Sequence, residues 1–278
     1  MALRPYWSGN IRLSLVSLPV HVYAALNRSR QIAFHEIYKP TGERVHHQLV
    51  AGDKPVERED IVKGYEVERG EYVLIDPDEI KDLKIPSSKT LDIAEFVDNG
   101  TIDAVYYESP YFVAPAAKGD HATFAVIRDA LRETGKVGIG QLAIGGRERL
   151  CALKPCGSGM LLETLRYEEE IKDSDPYFDT VRDRKADSEE IDLAKELIKR
   201  KVGKFDPGKF HDHYQAALRE LIDARIEHRE PREIEEKRPA AKVVNLMDAL
   251  RQSLKQPPET SRPANEDKPA PKKRRKAG

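Results

Sequence analysis

The sequence predicts an α+β protein in which a β-rich core comes first and helices follow. Apolar residues alternating with period two, set off by turn signals, recur to about Tyr167. Helical spacing takes over from Ser188, and beyond Gln256 the chain is rich in Pro, Lys, Glu and Ser, too poor in apolar side chains to fold. The expected organisation is a core over 1–170, a helical arm over 171–228, a linker with an amphipathic helix over 229–256, and a disordered basic tail over 257–278.

The first strand runs over Trp7–Tyr23, alternating Ile11, Leu13 and Leu15 with polar partners and resuming at Val20 and Val22, with Pro19 as a bend or edge signal. Further strands are expected over Gln31–Tyr38, Glu71–Ile75, Leu91–Val97, Tyr111–Ala114, Val137–Ile144, Leu150–Leu153 and Met160–Tyr167. Pro40-Thr-Gly42, Asn99-Gly100 and Gly145-Gly146 mark turns between them. Two helices interrupt this part. One spans Pro77–Leu83, with proline and acids in its first turn; the other spans His121–Glu133, with Phe124, Ile127 and Leu131 on one face and Gly135 closing it.

After a break at Ser174-Asp-Pro176, a helix over Ser188–Lys201 starts at a Ser cap and aligns Ile191, Ala194, Leu197 and Ile198. Asp206-Pro-Gly208 opens the next, with Tyr214, Ala217, Leu218, Leu221 and Ile222 on its apolar face. A last short helix spans Val243–Leu254.

Charge is segregated along the chain. The formal net charge is only -1, yet Lys268, Lys272, Lys273, Arg274, Arg275 and Lys276 stand together at the end, leaving 41 basic against 48 acidic residues before them. No stretch is long and apolar enough for a membrane helix and no secretory signal opens the chain, so the sequence reads as cytosolic. Cys151 and Cys156 alone suggest reduced thiols, with a spacing that fits no zinc knuckle.

The chain offers little for catalysis. Gly138-Ile-Gly140-Gln-Leu-Ala143 matches G-x-G-x-x-A, with Glu163 further on, but a dinucleotide site needs such glycines between a strand and a helix. Here a helix precedes and a strand follows, so bending or close approach of a strand is the favoured reading, with a nucleotide-dependent oxidoreductase as a remote alternative. His46-His47 and the pair His211 and His213 have no companion ligands and read as surface or capping residues. No nucleophile elbow, P-loop or carboxylate pair stands out, so no enzyme, cofactor or metal site is expected.

Two features point to binding. From Thr134 to Met160, Lys136, Arg147, Arg149 and Lys154 face the single acid Glu148; cations so spaced can track phosphates, although from composition alone an ordinary solvated rim is the favoured reading. Val243, Leu246, Met247, Leu250 and Leu254 form an apolar stripe on a helix too short to be stable alone, which must bury against the core or in a partner's groove.

The order of segments resembles a known family. Trp7-Ser-Gly-Asn-Ile-Arg-Leu-Ser-Leu-Val-Ser-Leu-Pro-Val, Phe34-His35, Ile61-Val-Lys-Gly-Tyr65, Lys89-Thr-Leu-Asp-Ile-Ala-Glu-Phe-Val97 and Leu131-Arg-Glu-Thr-Gly-Lys136 look like bacterial Ku. Thr164-Leu-Arg-Tyr167, Phe205-Asp-Pro-Gly-Lys-Phe-His211 and Val243-Val-Asn-Leu-Met-Asp-Ala-Leu250 continue the likeness. The resemblance implies a β-barrel core and a homodimeric ring with intertwined helical arms, threaded by a broken DNA end. It further implies recruitment of an ATP-dependent, ligase D-like DNA ligase for non-homologous end joining, no reaction of the ring's own, and a cytoplasmic, nucleoid-associated place in a bacterium. The paired cysteines of some relatives are missing between Arg44 and Val56, so no zinc is expected.

In that light residues 38–61 become a bridge over DNA, with Arg28, Lys39, Arg44 and Lys54 as phosphate contacts, and Lys136, Arg147, Arg149 and Lys154 become the cradle beneath. The stripe at Val243–Leu254 becomes the ligase-docking helix, and the cations from Lys268 to Lys276 an auxiliary phosphate-seeking tether. A coating protein acting mainly through that tail is the alternative.

Overall fold

Leu15 is fully exposed at the tip of a hairpin, and that hairpin begins a closed barrel. The structure is a computed structural model that describes residues 3–27, 31–83, 89–182, 185–231 and 247. Its contacts fall into two compact units, Met1–Asp173 and Ser174–Gly278.

In the first unit, β1 (Trp7–Leu13) and β2 (Val16–Ala24) turn back on each other through Ser14 and Leu15, with Ser14 at φ 54°. The expected single strand is therefore a hairpin: its loop of Ser14 and Leu15 carries none of the Gly, Asn or Asp that usually mark such a turn, and its one trace is the shift of apolar residues from odd positions (Ile11, Leu13, Leu15) to even ones (Leu18, Val20, Val22). Pro19 sits within β2, opposite Asn10. Its carbonyl accepts from Ala116 N–H at 3.0 Å, so its missing donor faces the side where the neighbouring strand has ended.

An excursion follows, built from three two-stranded ribbons: β3 (Ile37–Tyr38) with β4 (Glu43–Arg44), β5 (Val50–Ala51) with β6 (Lys54–Pro55), and β7 (Lys63–Glu68) with β8 (Glu71–Ile75). Of the strand expected over Gln31–Tyr38, only the last two residues pair. Helix α1 (Pro77–Lys81) is held by a capping box: Asp76 accepts from Asp78 N–H, and Glu79 accepts from Asp76 N–H.

The barrel resumes with β9 (Thr90–Asp98) and β10 (Tyr107–Pro115), then α2 (His121–Thr134), β11 (Lys136–Ile144), β12 (Arg147–Cys156) and β13 (Gly159–Leu165). The strand order is β1-β2-β10-β13-β12-β11-β9, closed by β9 against β1 in the barrel's single parallel pairing. Ile11, Leu18, Val20, Val22, Leu91, Val113, Leu142, Leu153, Met160 and Leu162 fill its interior. A smaller apolar cluster on the outer face buries Val137, Ile139, Ala152 and Leu165 beneath Ile102, Tyr106 and Tyr107.

The glycines of the G-x-G-x-x-A match lie inside β11. A Cβ on Gly140 would stand 2.1 Å from the carbonyl oxygen of Asp92, and one on Gly9 2.3 Å from that of Lys89. These glycines let β1, β9 and β11 close together, and the next element is another strand, so no helix N-terminus awaits a pyrophosphate.

Helix α2 caps one end of the barrel. Phe124 and Leu131 enter the core, while Arg128 and Arg132 each donate to a carbonyl of the β12–β13 turn, Ser158 and Gly157, both at 2.6 Å. Gly135, at φ 65°, ends the helix in the left-handed conformation that favours glycine.

The second unit is helical: α3 (Asp175–Arg182), α4 (Ser188–Lys201) and α5 (His213–Ile226). The expected break at Ser174-Asp-Pro176 starts α3, since proline is at home in a first helical turn. Asp187, not Ser188, caps α4, accepting from Glu189 and Glu190 N–H. Asp206-Pro-Gly208 forms a separate 3-10 turn, and α5 begins at His213 behind its own cap, Asp212. Tyr177, Phe178, Val181, Ile198, Phe205, Phe210 and Tyr214 are all exposed. The expected helix over Val243–Leu254 lies outside the described residues except for Met247, which is helical and partly buried.

Candidate nucleic-acid interface

The barrel has two unlike ends. Leu13, Asp98, Pro115, Lys136 and Gly159 mark the end that α2 caps. Trp7, Ala24, Ile144, Arg147 and Leu165 mark the other, which no helix of this unit covers among the described residues. The excursion leaves from Ala24 and returns to Thr90, so it departs from and comes back to this open end.

The ribbons of the excursion present both faces to solvent. Tyr65 and Val73 are exposed on one face of β7–β8, and Tyr72 and Leu74 on the other. Lys39, Arg44 and Lys54 are exposed here and enter no ion pair among the described residues. Acids nevertheless outnumber bases nine to six between residues 31 and 75, so these cations sit in an acidic frame. Arg28 lies outside the described residues, as do Lys268, Lys272, Lys273, Arg274, Arg275 and Lys276.

The four expected cradle cations do not form one row. Lys136 begins β11 at the capped end, with Nζ 2.7 Å from Asp98 Oδ1. Arg147 begins β12 at the open end, eight strand steps or about 26 Å away. Arg149 is bound to Glu108, whose Oε2 also accepts from Thr164 Oγ1 at 3.1 Å. Lys154 points out from the wall, paired with Glu163 and 5.0 Å from the centre of the Tyr107 ring, a cation–π geometry. Glu163 Oε2 is buried and has this ion pair but no well-aligned hydrogen bond. Of the four, Arg147 alone is exposed and outside any ion pair among the described residues.

The acids Asp98, Glu108 and Glu163 are the residues that sequence reasoning missed. Two of them lie 38 and 41 positions from their cations, where local sequence holds no signal. Glu163 was within reach: the Gly157-Ser158 turn fixes the β12–β13 register and brings it diagonally beside Lys154.

The open end is also aromatic. Tyr6 stacks on Tyr111 with ring centres 5.6 Å apart, and burial, followed by the neighbouring Tyr6, pushes the Tyr111 phenol above its ordinary range. Beneath the Arg149–Glu108 pair, burial pushes the Cys151 thiol up to about 12, while Cys156 is exposed. No group of three or more potential ligands could hold a metal among the described residues. His47 faces Glu36 at 3.3 Å. Also among the described residues, no helix is long and apolar enough to cross a membrane.

Comparison with known proteins agrees with this architecture. Residues 12–193 match the family described as the Ku70/Ku80 beta-barrel domain. A protein of Acidobacterium capsulatum named non-homologous end joining protein Ku is 45% identical over 257 residues, covering 90% of this chain and 84% of that protein. Proteins of the same name from Bradyrhizobium sp. and Archaeoglobus fulgidus are 37% and 33% identical, each over 91% of this chain and over 88% and 98% of their own lengths.

Proposed function

The chain belongs to the Ku family, and from that premise we propose that it binds double-stranded DNA ends, whatever their sequence, in non-homologous end joining. It does so as a homodimeric ring threaded onto the broken end, and it recruits and stimulates a ligase D-like ATP-dependent ligase while catalysing nothing itself. It works in the bacterial cytoplasm, at the nucleoid.

The observation that carries this reading is the excursion between β2 and β9. It leaves and re-enters at one end of the barrel and exposes both faces of its ribbons, the form of an arch and not of a packed domain. Lys39, Arg44 and Lys54 are phosphate contacts on that arch, together with Arg28, and Arg147 is one on the barrel below. The acid-paired Lys136, Arg149 and Lys154 contribute a weaker background field. A second copy of the chain gives the exposed aromatic and aliphatic faces of α3, α4 and α5 something to bury against. The stripe of Val243, Leu246, Met247, Leu250 and Leu254 docks in a groove of the ligase.

Threading demands an end. Linear duplex is therefore expected to load well, and a covalently closed circle of the same length poorly, in gel shifts at one fixed salt concentration. Equal affinity for the two forms would rule out the ring.

A further inference from the structure

The two ends of the barrel use their cations differently. At the capped end Arg128 and Arg132 share Asp129 and donate to turn carbonyls, and Lys136 holds Asp98; Lys118 is the exposed exception. At the open end Arg149 is held by Glu108, and Arg166 donates to the carbonyls of Val105 and Tyr107. Arg4, Lys89 and Arg147 remain at that end, each exposed and in no ion pair among the described residues.

Register places two of the three side by side. Gln141 lies opposite Asp92, which carried three residues on sets Lys89 level with Ile144; Ile144 is itself opposite Arg147. Lys89 and Arg147 thus flank one strand, about 10 Å apart across two strand spacings. Lys89 is fixed there by its carbonyl, which accepts from Asn10 N–H at 2.9 Å. Arg4 joins the rim through Tyr6, whose N–H donates to Val22 O at 2.8 Å and whose hydroxyl lies 3.0 Å from where a Gly145 Cβ would stand. It lines a cleft of about 470 Å³ with Leu3, Pro5, Tyr6, Tyr23 and Ala24.

We propose that Arg4, Lys89 and Arg147 form a cationic rim that contacts the phosphates of the duplex on the side of the barrel facing the excursion. This rests on the end-binding reading above, and it adds two residues to that site while moving its centre away from Lys136 and Lys154. A duplex held under the arch passes beside the open end, where three cations have no acid of their own to neutralise them. Their contribution is independent of base sequence, as a threaded clamp requires.

The test uses the full chain and a short labelled linear duplex, titrated between about 50 and 200 mM salt. Changing Arg4, Lys89 and Arg147 together to Gln is expected to weaken binding about tenfold or more at about 0.15 M salt. It should also flatten the log–log salt slope by about 0.9 for each phosphate left without its cation. Lys118→Glu, at the capped end, should change neither quantity. The rim is refuted if the triple variant keeps the wild-type affinity and slope, or if Lys118→Glu matches its loss. A wild-type chain that binds closed circles as well as linear duplex defeats the end-binding reading instead, so the two failures are told apart. Circular dichroism of the triple variant checks that it is folded, and the single Arg147→Gln change, expected to flatten the slope by about 0.9, keeps the proposal open to refutation if it is not.

Discussion

Arg12 grips Asp92 with two parallel hydrogen bonds, Nε to Oδ1 and Nη2 to Oδ2, across the parallel seam that closes the barrel. The hydrogen bond from Arg12 holds the Asp92 carboxyl below its usual range, and Asp92 in turn raises the guanidinium. A depressed carboxyl stabilises the fold above its unfolded pKa of about 3.9 and ceases to as pH falls through the lower folded value. Both side chains are half exposed, so solvent and salt screen the pair and the effect is small. Asp92→Asn is expected to lower the melting temperature by a few degrees at most near neutrality. That difference from wild type should hold from about pH 8 to 5 and close below about pH 4. A difference unchanged at low pH would show that the pair has no such part in the seam.

Gly140→Ala should be far more damaging. Its added methyl meets the Asp92 carbonyl, a backbone atom that cannot swing away, so β9 and β11 must part. A loss of about 1–3 kcal/mol is expected from urea unfolding. Gly100→Ala, with open space around it, should stay within about 0.5 kcal/mol of wild type.

The two thiols should react very differently. Cys156 is exposed, whereas burial removes Cys151 from reagent and disfavours its thiolate. Iodoacetamide at about pH 8 should add one label to the native chain by intact mass, and two in denaturant. Two labels on the native chain would mean that the barrel opens readily near Arg149.

Ending the chain at Lys255 separates a ring from a coating protein. A ring should keep its preference for linear duplex, with a salt slope flatter by up to about 0.9 for each phosphate that the tail had neutralised. Loss of nearly all affinity would favour the coating alternative.

Leu250→Asp tests the docking stripe. It should spare DNA binding and abolish ligase recruitment in a pull-down. Unfolding of the variant would place the stripe against the protein's own core instead.

Legibility in the sequence followed the range of the interaction. Strands β8, β9 and β11 and helices α2 and α4 were readable because periodicity is local, as is the stop at Gly135 that ends α2, although the cap of α4 is Asp187 and not the expected Ser188. Hairpin β1–β2 was not, because Ser14 and Leu15 are not turn-forming residues and the turn shows only as a change in phase of the apolar pattern, from odd to even positions. The site divided the same way. Basic side chains can be counted from sequence, but whether each is neutralised depends on partners such as Asp98 and Glu108, set by barrel register. Nothing local in the sequence joins Lys89 to Arg147; the β9–β11–β12 register alone brings them together.

The parallel pairing of β1 with β9 also governs the order of assembly. It joins residues 80 apart, and the opposite wall stays open until β13 seats between β10 and β12. On a ribosome adding about 5–20 residues per second, hairpin β1–β2 waits about four to eighteen seconds for β9 and β10 to pair its two edges. Contacts so distant along the chain also make slow folders. Early sheets with open edges invite pairing with neighbouring nascent chains. Expression yield should therefore respond to slower synthesis and lower temperature more than the finished barrel's stability would suggest.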